Sequence, residues 1–189
     1  MILAIIPAQS MSSRLPGKNM KAMLGKPLID YTIEYARKCP AIDEIYVSTD
    51  SQEIFEYAKG KGVKAIIRPP ALCGNIAIAD VLRHAINNIP NADKFSRVVA
   101  LQVDHPDRAI DLADFIKRVV DNDIADAITI EADGIRNGSI RILRIKDLMS
   151  GAISYSILAV RDECTNIHYQ KDFDCAADNI KKRLGRTDG

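Results

Sequence analysis

Short apolar runs alternate with amphipathic segments along most of the chain, and this alternation constrains the fold more than any other feature. The first run, ILAIIPA, is rich in isoleucine, as expected for a buried parallel strand. A polar loop follows it, and then KPLIDYTIEYARKC has the apolar spacing of a helix. Strands that alternate with helices predict βαβ units, and therefore a parallel sheet with right-handed crossovers.

The second half of the chain is richer in β-type residues. AITIEA, SIRILRI and ISYSILAV are three β-rich runs, and only the brief helical segment DLMSG separates the last two. We therefore predict an α/β fold with a Rossmann-like, mostly parallel sheet flanked by helices, and one or two added antiparallel strands. No repeat or convincing linker interrupts the pattern, so residues 1–189 are predicted to form a single domain. The other predicted strands are DEIYVSTD, VKAIIRPP and RVVALQVDHP, and the other predicted helices are SQEIFEYAKGKG, IADVLRHAINNI, DLADFIKRVVDN and FDCAADNIKKRL.

Charge and cysteine content argue against several functional classes. The chain has 26 Lys and Arg against 25 Asp and Glu, a net charge of +1, whereas nucleic-acid binders usually carry a basic excess. No apolar run is long enough for a transmembrane helix, so no membrane partner is expected. The four cysteines form no CxxC pair, which favours reduced thiols and a cytoplasmic location.

The loop after the first strand, Gln9 to Asn19, is the first candidate binding site. Ligands of open parallel sheets bind beyond the carboxyl ends of the strands. This loop offers backbone amides, serine hydroxyls, Arg14 and Lys18, a set of donors and cations that can surround a polyphosphate. Neither GxxxxGK[ST] nor GxGxxG is present. From composition alone, a phosphate site and a solvated surface loop remain equally open.

The order of motifs adds a resemblance to a known family. IPAQSMSSRLPGKNMKAMLGKPLIDYTIEYA resembles the opening of the acylneuraminate and 3-deoxy-manno-octulosonate cytidylyltransferases, whose signature is roughly IPARxxSxRxPGKN and then GKPLI. Similar segments follow in the same order over most of the chain. They are VSTD, RP after the third strand, LQVDHPDR after the fourth, NGSIRILRIKDLMSG and KDFDCAAD.

The resemblance implies a fold of the nucleotide-diphospho-sugar transferase type and assigns roles to individual residues. Ser10, Ser12 and Arg14 would contact phosphates, and Lys18 would neutralise charge near the reacting α-phosphate. Asn19 and Arg68 would help to recognise ribose and cytosine. The implied nucleotide-binding residues are Ala8, Gln9, Ser10, Ser12, Arg14, Lys18, Asn19, Arg68 and Gln102, and the implied catalytic residues are Lys18, Arg14 and Asp104.

Three carboxylates are predicted to hold Mg²⁺, the expected cofactor. Asp104 follows a buried strand, and Asp172 and Asp174 are two residues apart, so that on an extended segment both would face the same side. The alternative for Asp172 and Asp174 is a helix N-cap and first turn. A different alignment of the tail puts His168 and Gln170 in the motif positions.

Two residues beside Asp104 leave their roles open. Gln102 and Arg108 are expected either to touch the acceptor or to be surface polar groups at a strand end. His105 is expected to be a surface histidine rather than a catalytic base.

The chain departs from the family pattern in three places. Gln9 stands where the signature has an arginine, and a lost charge-assisted phosphate contact would cost about 1.5–3 kcal/mol. The stretch after RP, LCGNIAIADV, is apolar where hydroxyls are usual. The segment between ITIEA and NGSI is short, in a region that in the family receives the sugar acid and forms the homodimer.

Two functional hypotheses follow. The first is a Mg²⁺-dependent cytidylyltransferase whose partners are CTP and a small acidic acceptor such as an acidic sugar, with a homodimer also allowed. The second is a catalytically impaired relative that acts as a nucleotide-binding or regulatory module, since a fold does not guarantee activity.

Overall fold

A computed structural model describes residues 1–10, 12, 14–74, 76–152 and 154–185. Each predicted strand corresponds to an observed one, although the run predicted from residue 153 becomes a strand only at Ile157, and Ile153 itself lies outside the described residues. The strands are β1 (Ile2–Ala8), β2 (Ala22–Met23), β3 (Lys26–Pro27), β4 (Glu44–Thr49), β5 (Lys64–Ile67), β6 (Arg97–Leu101), β7 (Asp126–Ile130), β8 (Arg136–Arg144) and β9 (Ile157–Arg161).

Some helices begin where a side chain caps the first turn. The hydroxyl of Ser51 accepts a hydrogen bond from the amide of Ile54 at 3.2 Å. The carboxylate of Asp111 accepts from the amides of Ala113 and Asp114, as expected at a helix N-cap. The helices are α1 (Leu28–Arg37), α2 (Gln52–Gly60), α3 (Ile78–Asn87), α4 (Leu112–Asp121), α5 (Ile145–Ser150) and α6 (Gln170–Arg183).

Seven strands form the main sheet in the order β5-β4-β1-β6-β8-β7-β9. Strand β8 pairs antiparallel with both β6 and β7, whereas the other pairings in this sheet are parallel. The predicted α/β fold with a mostly parallel sheet is therefore confirmed, and one antiparallel strand is the addition in the second half. A separate two-stranded hairpin, β2-β3, was not predicted.

Two apolar cores lie on opposite faces of the sheet. Alternate residues of β1 serve the two faces: Ile6 packs with the helices α1, α2, α4 and α6, and Leu3 packs with α3 and α5. Both side chains are fully buried, and each such burial contributes about 1.5–3 kcal/mol. The sheet is thus covered on both sides, as parallel sheets generally are.

The topology brings five chain segments together at the carboxyl ends of the parallel strands, which we call the carboxyl edge of the sheet. The carboxyl ends of β1, β4, β5 and β6 point to the same edge because these strands are parallel. The beginning of antiparallel β8 reaches it too, since Leu101 pairs with Ile140. In the described ranges, no helix combines the length and apolar character needed to cross a membrane.

Candidate functional site

The loop after β1 is folded back on itself so that two polar side chains turn inward. Gly17 adopts a left-handed conformation (φ 66°) that opens a short 3-10 helix at Lys18–Met20. The hydroxyl of Ser12 accepts from the amide of Leu15 at 3.2 Å. Lys18 and Asn19 are buried, and Asn19 Nδ2 donates to the carbonyl of Gln9 at 2.8 Å, which joins the two ends of the loop.

Lys18 connects three of the chain segments that meet at the carboxyl edge of the sheet. Its Nζ lies 2.7 Å from Oδ2 of Asp104 and donates to the carbonyl of Ile167 at 3.0 Å. The amide of Ile167 in turn donates to the carbonyl of Asp104 at 3.0 Å. The loop after β1, the segment after β6 and the segment before α6 therefore meet at Lys18.

Asp50, which sequence analysis did not single out, organises a second part of the edge. Its carboxylate accepts from the amide of Ser10 at 2.8 Å and from the Ser10 hydroxyl at 2.7 Å, and Nη2 of Arg68 lies 3.9 Å away. Partial burial raises the pKa of Asp50, but the hydrogen bonds from Ser10 and the charge of Arg68 outweigh it, so the pKa lies below its ordinary value. Asp50 is thus a fixed anion that orients Ser10 and the buried Arg68.

One cleft collects most of the predicted nucleotide-binding residues. An apolar wall from the segment after β5, formed by Leu72, Ile76, Ile78 and Val81, faces these polar groups. The wall was not predicted, because in the sequence the apolar stretch after RP indicates only a loss of hydroxyl contacts. The predicted residues that line the cleft are Gln9, Lys18, Asn19, Arg68, Gln102 and Asp104.

Four other predicted residues lie outside the lining of this cleft in the described part of the chain. Ala8 is fully buried in the core, and Ser10 and Ser12 bond to Asp50 and Leu15 as described above. Arg14 is exposed, with its guanidinium 6.0 Å from the ring centroid of Tyr169.

The side-chain amide of Gln102 lies close to Gly138, an approach that was not predicted from the sequence. Gly138 at the start of β8 has a positive φ of 77°, and a Cβ there would lie 3.1 Å from Gln102 Nε2. A side chain at residue 138 would therefore be strained and would displace the amide of Gln102. The motif NGSI was noted in the sequence, but the need for glycine follows only from the antiparallel pairing of β8 with β6.

The prediction of an extended segment at Asp172 and Asp174 was wrong. Asp172 lies in the first turn of α6 and Asp174 two residues later in the same helix, where positions two apart point about 200° away from each other around the helix axis. Oδ2 of Asp172 accepts from the amides of His168 (3.0 Å) and Tyr169 (2.8 Å), and Oδ1 of Asp174 accepts from Gln170 at 2.7 Å. The structure therefore favours the helix-cap alternative.

Replacing Asp172 with alanine is expected to lower the free energy of unfolding by about 1 kcal/mol, since the amides of His168 and Tyr169 just before α6 lose their acceptor. The matched change Asp174→Ala, on the exposed face, should stay within about 0.5 kcal/mol of the parent. Those amide bonds hold the pKa of Asp172 below its ordinary value, so its contribution is lost as the pH falls through that lowered pKa. Urea denaturation at neutral and acidic pH measures both effects, and equal losses in the two variants would contradict the cap.

Arg108 and His105 are buried, contrary to both surface expectations. Nη1 of Arg108 donates to Thr32 Oγ1 at 3.2 Å, and Nη2 donates to the carbonyls of Ser139 (3.1 Å) and Gln102. Burial lowers the pKa of His105 to about 3, and the charges of Arg108 and Lys18 act in the same direction. Arg108 is therefore not a surface group, and His105 is an uncharged interior side chain at neutral pH.

The acidic groups expected to bind a metal do not converge. No three His, Cys, Asp or Glu side chains within the described ranges come together as a cation site. Asp104 is the only carboxylate among the described residues that line the cleft. Since Mg²⁺ is commonly held by one or two carboxylates, substrate phosphates and water, Asp104 fits a cation that arrives with a polyphosphate.

His168, which the alternative alignment of the tail puts in a motif position, directly follows Ile167, whose amide donates to the carbonyl of Asp104. Partial burial and the charges of Arg14 and Lys18 lower the pKa of His168, and Asp104 and Asp172 oppose the shift. Gln170, the other residue of that alignment, begins α6 and accepts from Lys21 Nζ at 2.5 Å.

Comparisons with known proteins agree with this geometry. A 3-deoxy-manno-octulosonate cytidylyltransferase from Anaeromyxobacter dehalogenans is 35% identical over 105 residues, which are 56% of this chain and 41% of that protein. The chain therefore spans well under half the length of this relative. In structure, it is similar to CMP:2-keto-3-deoxy-manno-octonic acid synthetase complexed with CTP (TM-score 0.78, 17% identity, 97% of this chain and 99% of the other). It is also similar to Rv0371C from Mycobacterium tuberculosis in complex with manganese (TM-score 0.66, 12% identity, 94% and 98%).

The identities of 17% and 12% with the two solved structures show a shared fold and no more. The family model described as Cytidylyltransferase matches residues 3–106, which include β1, the loop after it and Asp104. Because this match covers more than half of the 189 residues, the chain belongs to the cytidylyltransferase family.

Proposed function

We propose that this protein transfers CMP from CTP to a small acidic acceptor, such as an acidic sugar, with Mg²⁺ as cofactor and pyrophosphate as the second product. The observation that carries the proposal is the cleft at the carboxyl edge of the sheet, which is lined by Lys18, Asn19, Arg68, Gln102 and Asp104. Its relatives support the same chemistry, because the octulosonate enzyme is a cytidylyltransferase and its structural counterpart was solved with CTP.

The cations of the cleft would stabilise the charge on the triphosphate. Lys18 Nζ is fixed by Asp104 and the carbonyl of Ile167, so it is positioned before the nucleotide arrives. In the proposed reaction its ammonium neutralises the equatorial oxygens of the α-phosphate as the acceptor oxygen attacks and pyrophosphate leaves. A divalent cation held by Asp104 would supply further charge neutralisation at the phosphates.

The remaining lining would orient the nucleoside and the acceptor. Arg68 is almost fully buried, and its Nε has no hydrogen-bond partner among the described residues, so it retains a donor for a nucleotide oxygen. The Oδ1 atom of Asn19 is likewise buried without a partner in the part of the chain that the structure describes. The apolar wall, Leu72, Ile76, Ile78 and Val81, would exclude water from one side of the bound nucleoside. Gln102, fixed against Gly138, is our candidate for the acceptor contact.

Pyrophosphate release is the direct test. The protein would be incubated with each of the four ribonucleoside triphosphates, a panel of sugar acids and smaller acids, and either Mg²⁺ or a chelator. We expect release only with CTP, an acidic acceptor and the cation. Failure of every combination, with folded protein, would reject the transferase.

A second candidate function, a nucleotide-binding or regulatory module, is favoured by Gln9. This residue lines the cleft where the family signature has an arginine, so one phosphate contact is missing. Measurable CTP binding without any turnover would support the module rather than the enzyme.

Replacing Gln9 with arginine is expected to tighten CTP binding by about tenfold or more, because a charge-assisted phosphate contact is worth about 1.5–3 kcal/mol. Gln9 holds the loop through its backbone carbonyl, which accepts from Asn19, so exchange of the side chain leaves this bond in place. The matched control is Gln52→Arg, which adds the same charge on the exposed face of α2. Isothermal titration with CTP measures the difference, and equal affinities of the two variants would show that residue 9 does not contact phosphate.

We further propose that residues 1–189 act as one domain in the cytoplasm, without a nucleic-acid or membrane partner. The four cysteines are free thiols, which suits a reducing compartment. A homodimer is part of the proposal. The edge strand β9 and the neighbouring Tyr155, which is 95% exposed, offer a surface for it. Light scattering after gel filtration would decide between monomer and dimer.

A further inference from the structure

The carboxylate that suits a divalent cation already has a cation of the protein bound to it. Lys18 Nζ is 2.7 Å from Asp104 Oδ2, and the Lys18 side chain is only 8% exposed. The carbonyl of Ile167 accepts a second hydrogen bond from the same ammonium at 3.0 Å. The ammonium therefore lies in a formed site, with two fixed acceptors, in the part of the chain that the structure describes.

A free metal ion would have to compete with this ammonium. It would need to take the place of Lys18 at Asp104 and leave a buried ammonium with only the carbonyl of Ile167, which is an unfavourable state. A single carboxylate also offers too few oxygen ligands to hold such an ion by itself. Cation binding without nucleotide is therefore opposed twice.

A polyphosphate removes both obstacles to cation binding. Its oxygens provide a stronger acceptor for Lys18 than one shared carboxylate, and they supply the ligands that the cleft lacks. Once the ammonium turns to the phosphates, Asp104 is released. The nucleotide would thus create the site that the cation occupies.

We propose that Lys18 is an internal counter-ion that keeps Asp104 closed to divalent cations until a nucleoside triphosphate binds, so that nucleotide and cation bind cooperatively and in that order. The inference rests on the proposed function for the identity of the nucleotide. Its first half, the closure of Asp104 by Lys18, depends only on the geometry described above.

The test is the binding of Mn²⁺ alone, followed by the loss of the electron paramagnetic resonance signal of the free ion. We expect weak binding to the parent protein and at least about tenfold tighter binding to Lys18→Met, because an apolar side chain of similar length leaves the carboxylate unpaired. A gain of metal affinity on removing a proposed catalytic cation distinguishes this role from a purely structural one. The gain must disappear in the double variant K18M/D104N.

Two further variants control for fold and charge. Lys18→Arg keeps a cation at Asp104, and Mn²⁺ binding should stay weak. Lys21→Met removes an ammonium three residues away whose partner is the amide of Gln170, and it should bind Mn²⁺ like the parent. Thermal melts establish that each variant is folded. Unchanged Mn²⁺ affinity in folded K18M would overturn the inference.

CTP separates this inference from the proposed function. The parent protein should bind Mn²⁺ at least about tenfold more tightly with CTP than without it. Its affinity for CTP should rise by the same factor when Mn²⁺ is present. Equally tight Mn²⁺ binding with and without CTP would overturn the inference and leave the transferase intact. If CTP does not bind at all, the proposed function fails, and K18M still tests the closure of Asp104.

Discussion

Asp104→Asn is expected to lower the rate of CMP transfer by about 100-fold or more, the scale seen when a group that stabilises transition-state charge is removed. Asp104 is the only carboxylate that lines the cleft within the described residues, and it fixes the ammonium of Lys18 at 2.7 Å. Asparagine keeps the shape but has no charge, so it weakens binding of the divalent cation that we propose at residue 104. Pyrophosphate release at saturating CTP and Mg²⁺ measures the effect.

The control for this variant is Asp114→Asn, the same change at an exposed position in the first turn of α4. It should retain the parent rate within about twofold, as expected for a surface substitution away from the cleft. Circular dichroism establishes that both variants are folded. A folded D104N variant that keeps more than about a tenth of the parent rate would remove Asp104 from the mechanism.

The sequence could predict which side chains meet at the cleft, because that depends on the simplest property of a parallel sheet. Lys18, Arg68 and the segment with Gln102 and Asp104 are far apart in sequence, yet each follows a strand whose carboxyl end lies at the same edge. The alternation of elements was enough to predict that edge. The family motifs then selected which loop residues to consider.

The features that the sequence did not predict correctly depend on where an element begins or on which side chain becomes buried. The metal prediction for Asp172 and Asp174 required an extended chain, but the capping interaction of Asp172 starts α6 before them. The apolar wall around Ile76 and Val81 has no polar signal to find, since the same residues suit a core equally well. Local patterns do not report such tertiary contacts.

Arg108 illustrates the second difficulty and leads to a prediction on stability. LQVDHPDR ends in three charged residues out of five, which suggests a surface loop. In the fold its guanidinium is buried beneath that loop, 5.4 Å from the ring centroid of Tyr35, and it donates to Thr32 and to two backbone carbonyls. Burial lowers the pKa of Arg108, as expected for a desolvated cation.

Arg108→Met is therefore expected to lower the free energy of unfolding by about 2–4 kcal/mol, because the carbonyl of Gln102 loses the guanidinium donor and the carbonyl of Ser139 loses one of its two donors. Arg118→Met, an exposed position on α4, is the matched control and should change stability by less than about 0.5 kcal/mol. Urea denaturation measures the stability of both variants.

The substitution should also affect function, since Arg108 donates to the backbone carbonyl of Gln102, whose side chain lines the cleft. Under conditions where the variant is fully folded, we expect the KM for the acceptor to rise more than the KM for CTP. A stable R108M variant with unchanged KM values would mean that the position of Gln102 is set by Gly138 and β8 alone.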